Sequence, residues 1–370
     1  MDPLEPIPED VTPGQRRVVA FSSATLLLLA PLAAAAACHR DDDVGARPGS
    51  LGARSTPPPV LQAPPPAVDA RVDPVPRPLW LQPGHPAKKV ADALRDESPG
   101  DAALLDRLAD TPTAVWLGEW TRDVKKTAAG IVGAAKKSGA LPVLVAYHIP
   151  DRDCGQHSAG GSKDVAAYDA WIGQLAAGIG TGEALVVLEP DALTVTDCLS
   201  DLGMDERLAM LQRAVEVLGK NPGTRVYLDG GHPQALRVEE MAARLESAGV
   251  AQARGFSLNV SNFVSTRDNV AYGEKLSRRL GGKHYVIDTS RNGKGANGEW
   301  CNPFGRGLGE EPTTAPGLPH GDAFLWIKRP GESDGACHGG PPAGQFWGGY
   351  ALELARASWE PKLQPVADAE

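Results

Sequence analysis

Leu141-Pro-Val-Leu-Val-Ala-Tyr-His-Ile-Pro-Asp-Arg-Asp-Cys154 is the stretch that decides the fold. It opens as an apolar run, Leu141–Ala146, and breaks at Pro150 into a loop that crowds Asp151, Arg152, Asp153 and Cys154. The same plan recurs in Leu185-Val-Val-Leu-Glu-Pro-Asp191, followed by Cys198. Short apolar runs bounded by proline read as buried strands. Two such strands, each ending in a carboxylate near a cysteine, predict a paired-acid site held by a disulfide.

Working outward, further apolar runs stand at Thr113–Leu117, Arg225–Leu228, Gly255–Asn259, His284–Ile287 and Ala323–Ile327. Between them, apolar residues recur at three- and four-residue spacing in Thr121–Ser138, Asp164–Ile179, Asp205–Gly219, Val238–Ala248 and Asn269–Leu280, which predicts helices. Alternating strands and helices imply a parallel sheet with right-handed crossovers. Polar and aromatic residues gather at the C-terminal end of every strand: Trp116, Tyr147, Asp153, Glu189, Asp191, Asp229, Asn259, Asn262, Asp288, Trp326 and Lys328. An open doubly wound sheet would concentrate them at one switch point, whereas a barrel builds its site around the whole rim. A parallel β/α barrel is therefore expected. No glycine-rich phosphate loop follows any strand.

The 370 residues do not all belong to that barrel. Arg16-Arg17 precedes an apolar run, Val18–Ala37, in the manner of an export signal. Cys38 directly follows the small residues, so residues 1–38 carry two open readings: a secretion signal, or a lipoprotein-type anchor at Cys38 that tethers the chain to a membrane. Residues 39–76 are rich in Pro, Ala, Asp and Arg and read as a linker with too few apolar side chains to offset ordering entropy. Residues 77–370 remain as one catalytic domain.

Of the five cysteines, Cys154, Cys198, Cys301 and Cys337 lie in that domain. An even number in an exported chain predicts two disulfides, with sequential pairing favoured among three connectivities. A zinc site would need shorter spacings than these cysteines have. His148, His157, His232 and His338 show no helical metal spacing either, so neither metal nor cofactor is expected. A formal charge of −9 argues against nucleic acid and fits a neutral substrate. A monomer is expected.

Hydrolysis of an unactivated bond needs a protonated carboxyl for the leaving group and a carboxylate that handles water. Asp191 follows a buried strand, where desolvation raises its pKa. Asp153, beside Arg152, is the expected ionised partner. A loop salt bridge within Asp151-Arg152-Asp153 is the competing explanation for that cluster. Glu189 would share the face of Asp191 if the strand ran on through Pro190. Among the tryptophans, Trp116 and Trp300 are expected to face ligand, since indole faces stack on pyranose rings. Trp326 and Trp347 are expected in the core.

Val145-x-Tyr147-x-x-Pro150-x-Arg152-Asp153-Cys154-Gly155, with Ser158-Ala-Gly-Gly161, resembles the first signature of glycoside hydrolase family 6. Leu185-Val-Val-Leu-Glu-Pro-Asp191-Ala-Leu193 resembles its second, and the likeness continues through Tyr227-Leu-Asp229-Gly-Gly-His232, Asn259-Val-Ser-Asn262, Asp288-Thr-Ser-Arg-Asn-Gly293, Glu299-Trp-Cys301 and Trp326-Ile-Lys328 to Glu332-Ser-Asp334-Gly335. The resemblance implies a distorted barrel of about seven parallel strands that hydrolyses β-1,4-glucan with inversion and without a metal. It implies Asp191 as general acid, Asp153 as the group that raises its pKa and orders water, and Tyr147 as the residue favouring a distorted sugar ring. Asp334 is the implied candidate base, directly or through waters. Trp116, His232, Asn262, Trp300, Lys328 and Glu332 are the implied glucose-binding residues, and the sequential disulfides are also the family's.

Three departures shape the expected mode of action. Pro233-Gln-Ala-Leu236 lacks a tryptophan that many members place on the leaving-group side. The linker leads to the export segment rather than to a cellulose-binding module. The segments from Gly293 to Trp300 and after Cys337 are short, which predicts an open cleft and internal cleavage. An end-acting cellobiohydrolase is the alternative within the family. An inactive surface glucan-binding protein is the alternative outside it, disfavoured because a binder needs no desolvated acid; a metal-dependent hydrolase ranks last.

Overall fold

The computed structural model describes residues 76–360. The expected export segment, Cys38 and the Pro-rich stretch up to residue 75 lie outside the described residues, as does the tail from residue 361.

Two short helices come first, α1 (Pro86–Leu94) and α2 (Pro99–Ala109), each with proline in its first turn, where the missing N–H has no intrahelical partner to lose. Strand and helix then alternate: β1 (Val115–Leu117), α3 (Val124–Lys137), β2 (Val143–Ala146), α4 (Val165–Ile179), β3 (Ala184–Leu188), α5 (Asp201–Gly219), β4 (Thr224–Asp229), α6 (Val238–Ser247), β5 (Gly255–Leu258), α7 (Thr266–Arg279), β6 (His284–Asp288) and β7 (Gly321–Leu325). A last helix, α8 (Gly348–Trp359), follows a long loop. Side chains cap five of the helices: His85 accepts from Ala87 N–H, Asp123 from Lys126, Asp164 from Ala167, Ser200 from Gly203 and Ser265 from Asp268. Helices α1, α2 and α8 escaped the sequence reading; their apolar residues pack with Leu308 and Trp326 in a separate cluster.

The seven strands pair in chain order and in parallel. Their period of two splits the core into two layers. Leu144, Ala146, Val186, Leu188, Leu228 and Phe256 face the helices. Val143, Val145, Leu185, Val187, Tyr227 and Val286 fill the space that the curled sheet encloses. No ladder joins β1 to β7 among the described residues. The seam is instead crossed by Ala114 N–H donating to Trp326 C=O at 2.9 Å, and by Trp116 Nε1 donating to Ile327 C=O at 2.8 Å. The expected distorted barrel is thus a curled seven-stranded sheet with one loosely tied edge. At the opposite end from the rim, Asp322 accepts from Arg254, Tyr227 and His284, which neutralises a buried arginine.

No helix among the described residues is long and apolar enough to cross a membrane.

Candidate active site

Each strand delivers its polar residue to the same rim. Trp116, in the middle of the three-residue β1, meets Tyr147, just past β2, edge to face with ring centroids 5.1 Å apart. The chain then enters the Asp151–Gly161 loop, where Asp151, Asp153 and Cys154 all have positive φ. Such backbone costs roughly 1 kcal/mol or more per non-glycine residue and persists only where surroundings enforce it. Arg152 does much of that enforcement. Its guanidinium donates to Tyr147 C=O at 2.6 Å, Ser158 C=O at 2.8 Å and both oxygens of Glu119 at 2.7 and 2.8 Å, while lying 4.2 Å above the Tyr147 ring. Buried Arg207 holds the loop from below through Pro150 C=O and Asp151 C=O. The Cys154–Cys198 disulfide ties it to the segment after β3.

The salt bridge considered within Asp151-Arg152-Asp153 does not form. Arg152 turns to Glu119 of the neighbouring strand end, because successive loop residues project to different sides. The Asp153 carboxylate accepts instead from Ser158 N–H at 2.7 Å, the one hydrogen bond that this carboxylate makes among the described residues.

At the end of β3 the chain again takes positive φ, at Glu189 and Asp191, on either side of Pro190. The twist sends the two carboxyls apart, so Glu189 does not share the face of Asp191. Glu189 is fully buried and accepts His148 N–H at 2.9 Å and Ile149 N–H at 3.1 Å, fixing the start of the preceding loop. Burial pushes it up to about 7 despite those donors. Asp191 turns into the cleft. Burial raises its pKa first, the carboxylates of Asp229 and Asp153 raise it further, and Lys328 opposes them; the result is about 8.

Asp229, at the end of β4, is the neighbour that sequence reasoning placed on the rim but did not connect to the acid. It is buried and accepts Asp191 N–H at 3.0 Å and Ser257 Oγ at 3.2 Å. Burial raises its pKa too, but these donors and Gly231 N–H favour its ionised form. No hydrogen bond to the Asp191 carboxyl is found among the described residues. Of the pair, therefore, Asp191 is the one that keeps the proton.

The opposite wall is built on β5 to β7. Asp288, fully buried, accepts Ser261, Ser290, Ile327 and Lys328 N–H and so locks three strand ends together. Asp334 accepts Arg291 Nη1 at 2.8 Å and Asn302 N–H at 3.0 Å, with Lys328 Nζ 3.4 Å away. Burial pushes Asp334 upward, but the charges of Arg291 and Lys328 outweigh it and hold the carboxyl below its ordinary value. Glu332 pairs with Lys328 and Arg329. Trp300, beside the Cys301–Cys337 disulfide, is 51% exposed and meets His157 edge to face at 5.2 Å.

These groups surround one cleft of about 960 Å³. Tyr147, Asp153, Asp191 and Asp334 line it, as do Trp116, His232, Asn262, Trp300, Lys328 and Glu332. The structure brings every one of these sequence-derived candidates together, and both disulfides pair sequentially. Trp326 is buried as expected, while Trp347 is only half-buried, at the start of α8. Missed by the sequence reading were Arg291 and Glu119, the ion partners of Asp334 and Arg152, and Trp120, which lines the cleft beside Trp116. Only Arg291 stood within a quoted motif. No group of three or more His, Cys, Asp or Glu side chains among the described residues is placed to hold a metal ion.

Known proteins resemble this chain in sequence and in fold. Endoglucanase A of Cellulomonas fimi is 49% identical over 263 residues, covering 70% of this chain and 57% of the relative. Endoglucanase 1 of Streptomyces halstedii is 46% identical over 261 residues, covering 67% of this chain and 80% of the relative. The solved structure of the endoglucanase Cel6 from Mycobacterium tuberculosis, in complex with methyl-cellobiosyl-4-deoxy-4-thio-β-D-cellobioside, superposes with a TM-score of 0.72 at 45% identity. It matches 76% of this chain and 97% of that one. The family model described as "Glycosyl hydrolases family 6" matches residues 76–358, and with these relatives and this fold the chain belongs to that family and is a glycoside hydrolase.

Proposed function

We propose that this glycoside hydrolase cleaves internal β-1,4-glucosidic bonds of cellulose or soluble β-glucan with inversion, using Asp191 as general acid. The observation that carries the reading is the raised pKa of Asp191 inside a cleft walled by tryptophans. A carboxyl kept neutral near pH 7 can give its proton to a glycosidic oxygen, and burial, helped by repulsion from Asp229 and Asp153, keeps it neutral. Tyr147 borders the reacting sugar, with Trp116 stacking the next one. Asp334 is held ionised by two cations, which lowers its basicity. The Asp153 carboxylate, with a single hydrogen bond among the described residues, has acceptor capacity left to order and deprotonate water. Asp334 then acts chiefly by fixing Lys328 and Arg291 around the site.

Internal cleavage is supported by the endoglucanase relatives at 45–49% identity. One observation favours the end-acting alternative: His157 and Trp300 touch, joining the two disulfide-pinned loops beside the cleft. Viscosity loss against reducing ends released from carboxymethylcellulose separates the two. A steep early viscosity drop supports internal cuts, and reducing sugar with little viscosity change would overturn them. Two disulfides fit an oxidising compartment and an exported enzyme.

A further inference from the structure

The order of the strands gives the cleft a direction. Trp116 belongs to β1, Tyr147 follows β2, Asp191 follows β3, and His232 with Ala235 follows β4. If Asp191 protonates the leaving oxygen beside a sugar at Tyr147, the leaving group extends toward β4 and the glycone toward β1. This step rests on the function proposed above.

On the β1 side stands Trp120, four residues past Trp116 and lining the same cleft. We propose that Trp120 is a further glucose-binding platform, one sugar beyond Trp116, which makes the enzyme sensitive to the length of the glycone. Trp120 is 55% exposed, yet its ring is not free to wander. It rests on Gly118, where a Cβ would come within 2.6 Å of the indole. Its Nε1 reaches Trp116 C=O at 3.4 Å, and the Arg152 guanidinium lies 5.4 Å from the ring centroid. An indole held on one side and open on the other loses little entropy when a pyranose stacks on it. The Nε1 bond ties the Trp120 indole to the main chain that carries Trp116. Among the described residues that line the cleft on the leaving-group side, Thr194, Val195, His232 and Ala235, none is a tryptophan. Binding is therefore weighted toward the glycone.

A purely structural role for Trp120, as a cover for the Arg152–Glu119 pair, predicts a different pattern of damage. The experiment compares 2,4-dinitrophenyl β-cellobioside, whose glycone reaches only Trp116, with the β-cellotrioside, whose third sugar reaches Trp120. The wild type is expected to favour the trioside in kcat/KM by roughly three- to tenfold. Trp120→Ala should erase that preference while leaving the cellobioside rate within about twofold, and Trp120→Phe should keep part of it. Equal loss on both substrates, or a wild type indifferent to the third sugar, would overturn the inference. Should the wild type cleave neither glycoside, the proposed function fails first. Calorimetric titration of Asp191→Asn with cellobiose and cellotriose then decides the platform alone. A tighter cellotriose complex that Trp120→Ala weakens to the cellobiose level supports it, and equal affinities with Trp120 intact reject it.

Discussion

The main-chain N–H of Asp191 donates to the carboxylate of Asp229 at 3.0 Å. The residue whose side chain keeps its proton thus stabilises, through its backbone, the charge that raises its own pKa. With the backbone of Asp191 at positive φ, its N–H points inward to Asp229 while its carboxyl turns toward the cleft.

Replacing the acid tests its role most directly. Asp191→Asn should lower kcat on unactivated glucan by about 10²–10⁴-fold, the usual worth of a positioned general acid. Binding of cello-oligosaccharides, followed by calorimetry, should survive. Full turnover in this variant would remove Asp191 from the mechanism.

The Asp229 charge has a pH signature. On the proposed mechanism activity requires protonated Asp191, so it should be lost as pH rises through the raised value near 8. In Asp229→Asn the repelling charge is gone, ionised Asp191 is penalised less, and its pKa falls. The alkaline limb of kcat/KM should move toward acid by roughly one unit. A limb that stays in place, or moves to higher pH, contradicts the coupling.

Stability depends on Asp334 in the opposite sense. Its pKa is lowered by Arg291 and Lys328, so its contribution is present above the ordinary carboxylate value and is lost as pH falls below it. Asp334→Asn leaves the fully buried Arg291 without its counter-charge. Chemical denaturation near pH 7 should show a loss of roughly 3–5 kcal/mol. A midpoint equal to the wild type would mean that other groups neutralise Arg291.

The first disulfide closes a loop with a sequence separation of 44 residues. In the chain-entropy account Cys154→Ser should cost about 4 kcal/mol. The readout is the melting temperature under oxidising conditions, which should fall clearly, and reductant should then have a smaller effect on the variant than on the wild type.

Much of this site was legible because barrel strands announce their ends. Leu185-Val-Val-Leu followed by Glu-Pro-Asp191 marks a buried strand and its exit, and the parallel order of strands does the rest. What sequence did not convey was orientation at those exits. Glu189 and Asp191 are two residues apart and should share a face by period two; left-handed backbone at both positions sends one into the core. Arg152 looked like the partner of its neighbours yet pairs with Glu119, 33 residues away. Arg291 and Asp334 lie 43 apart. Such pairs follow from how the strands stack in space. The terminal helices α1, α2 and α8 were missed because each is short and no flanking strand marks it as a crossover.

Trp116 combines two duties. Its ring borders the cleft beside Tyr147, while its indole N–H is one of the few ties across the seam between β1 and β7. On the proposed function, the surface that receives the sugar is also a rivet in the wall. Loosening of that seam, by heat or denaturant, would tilt the ring before the ladders elsewhere give way. Affinity for the glycone would then act as an internal strain gauge, declining while the bulk secondary structure is still intact.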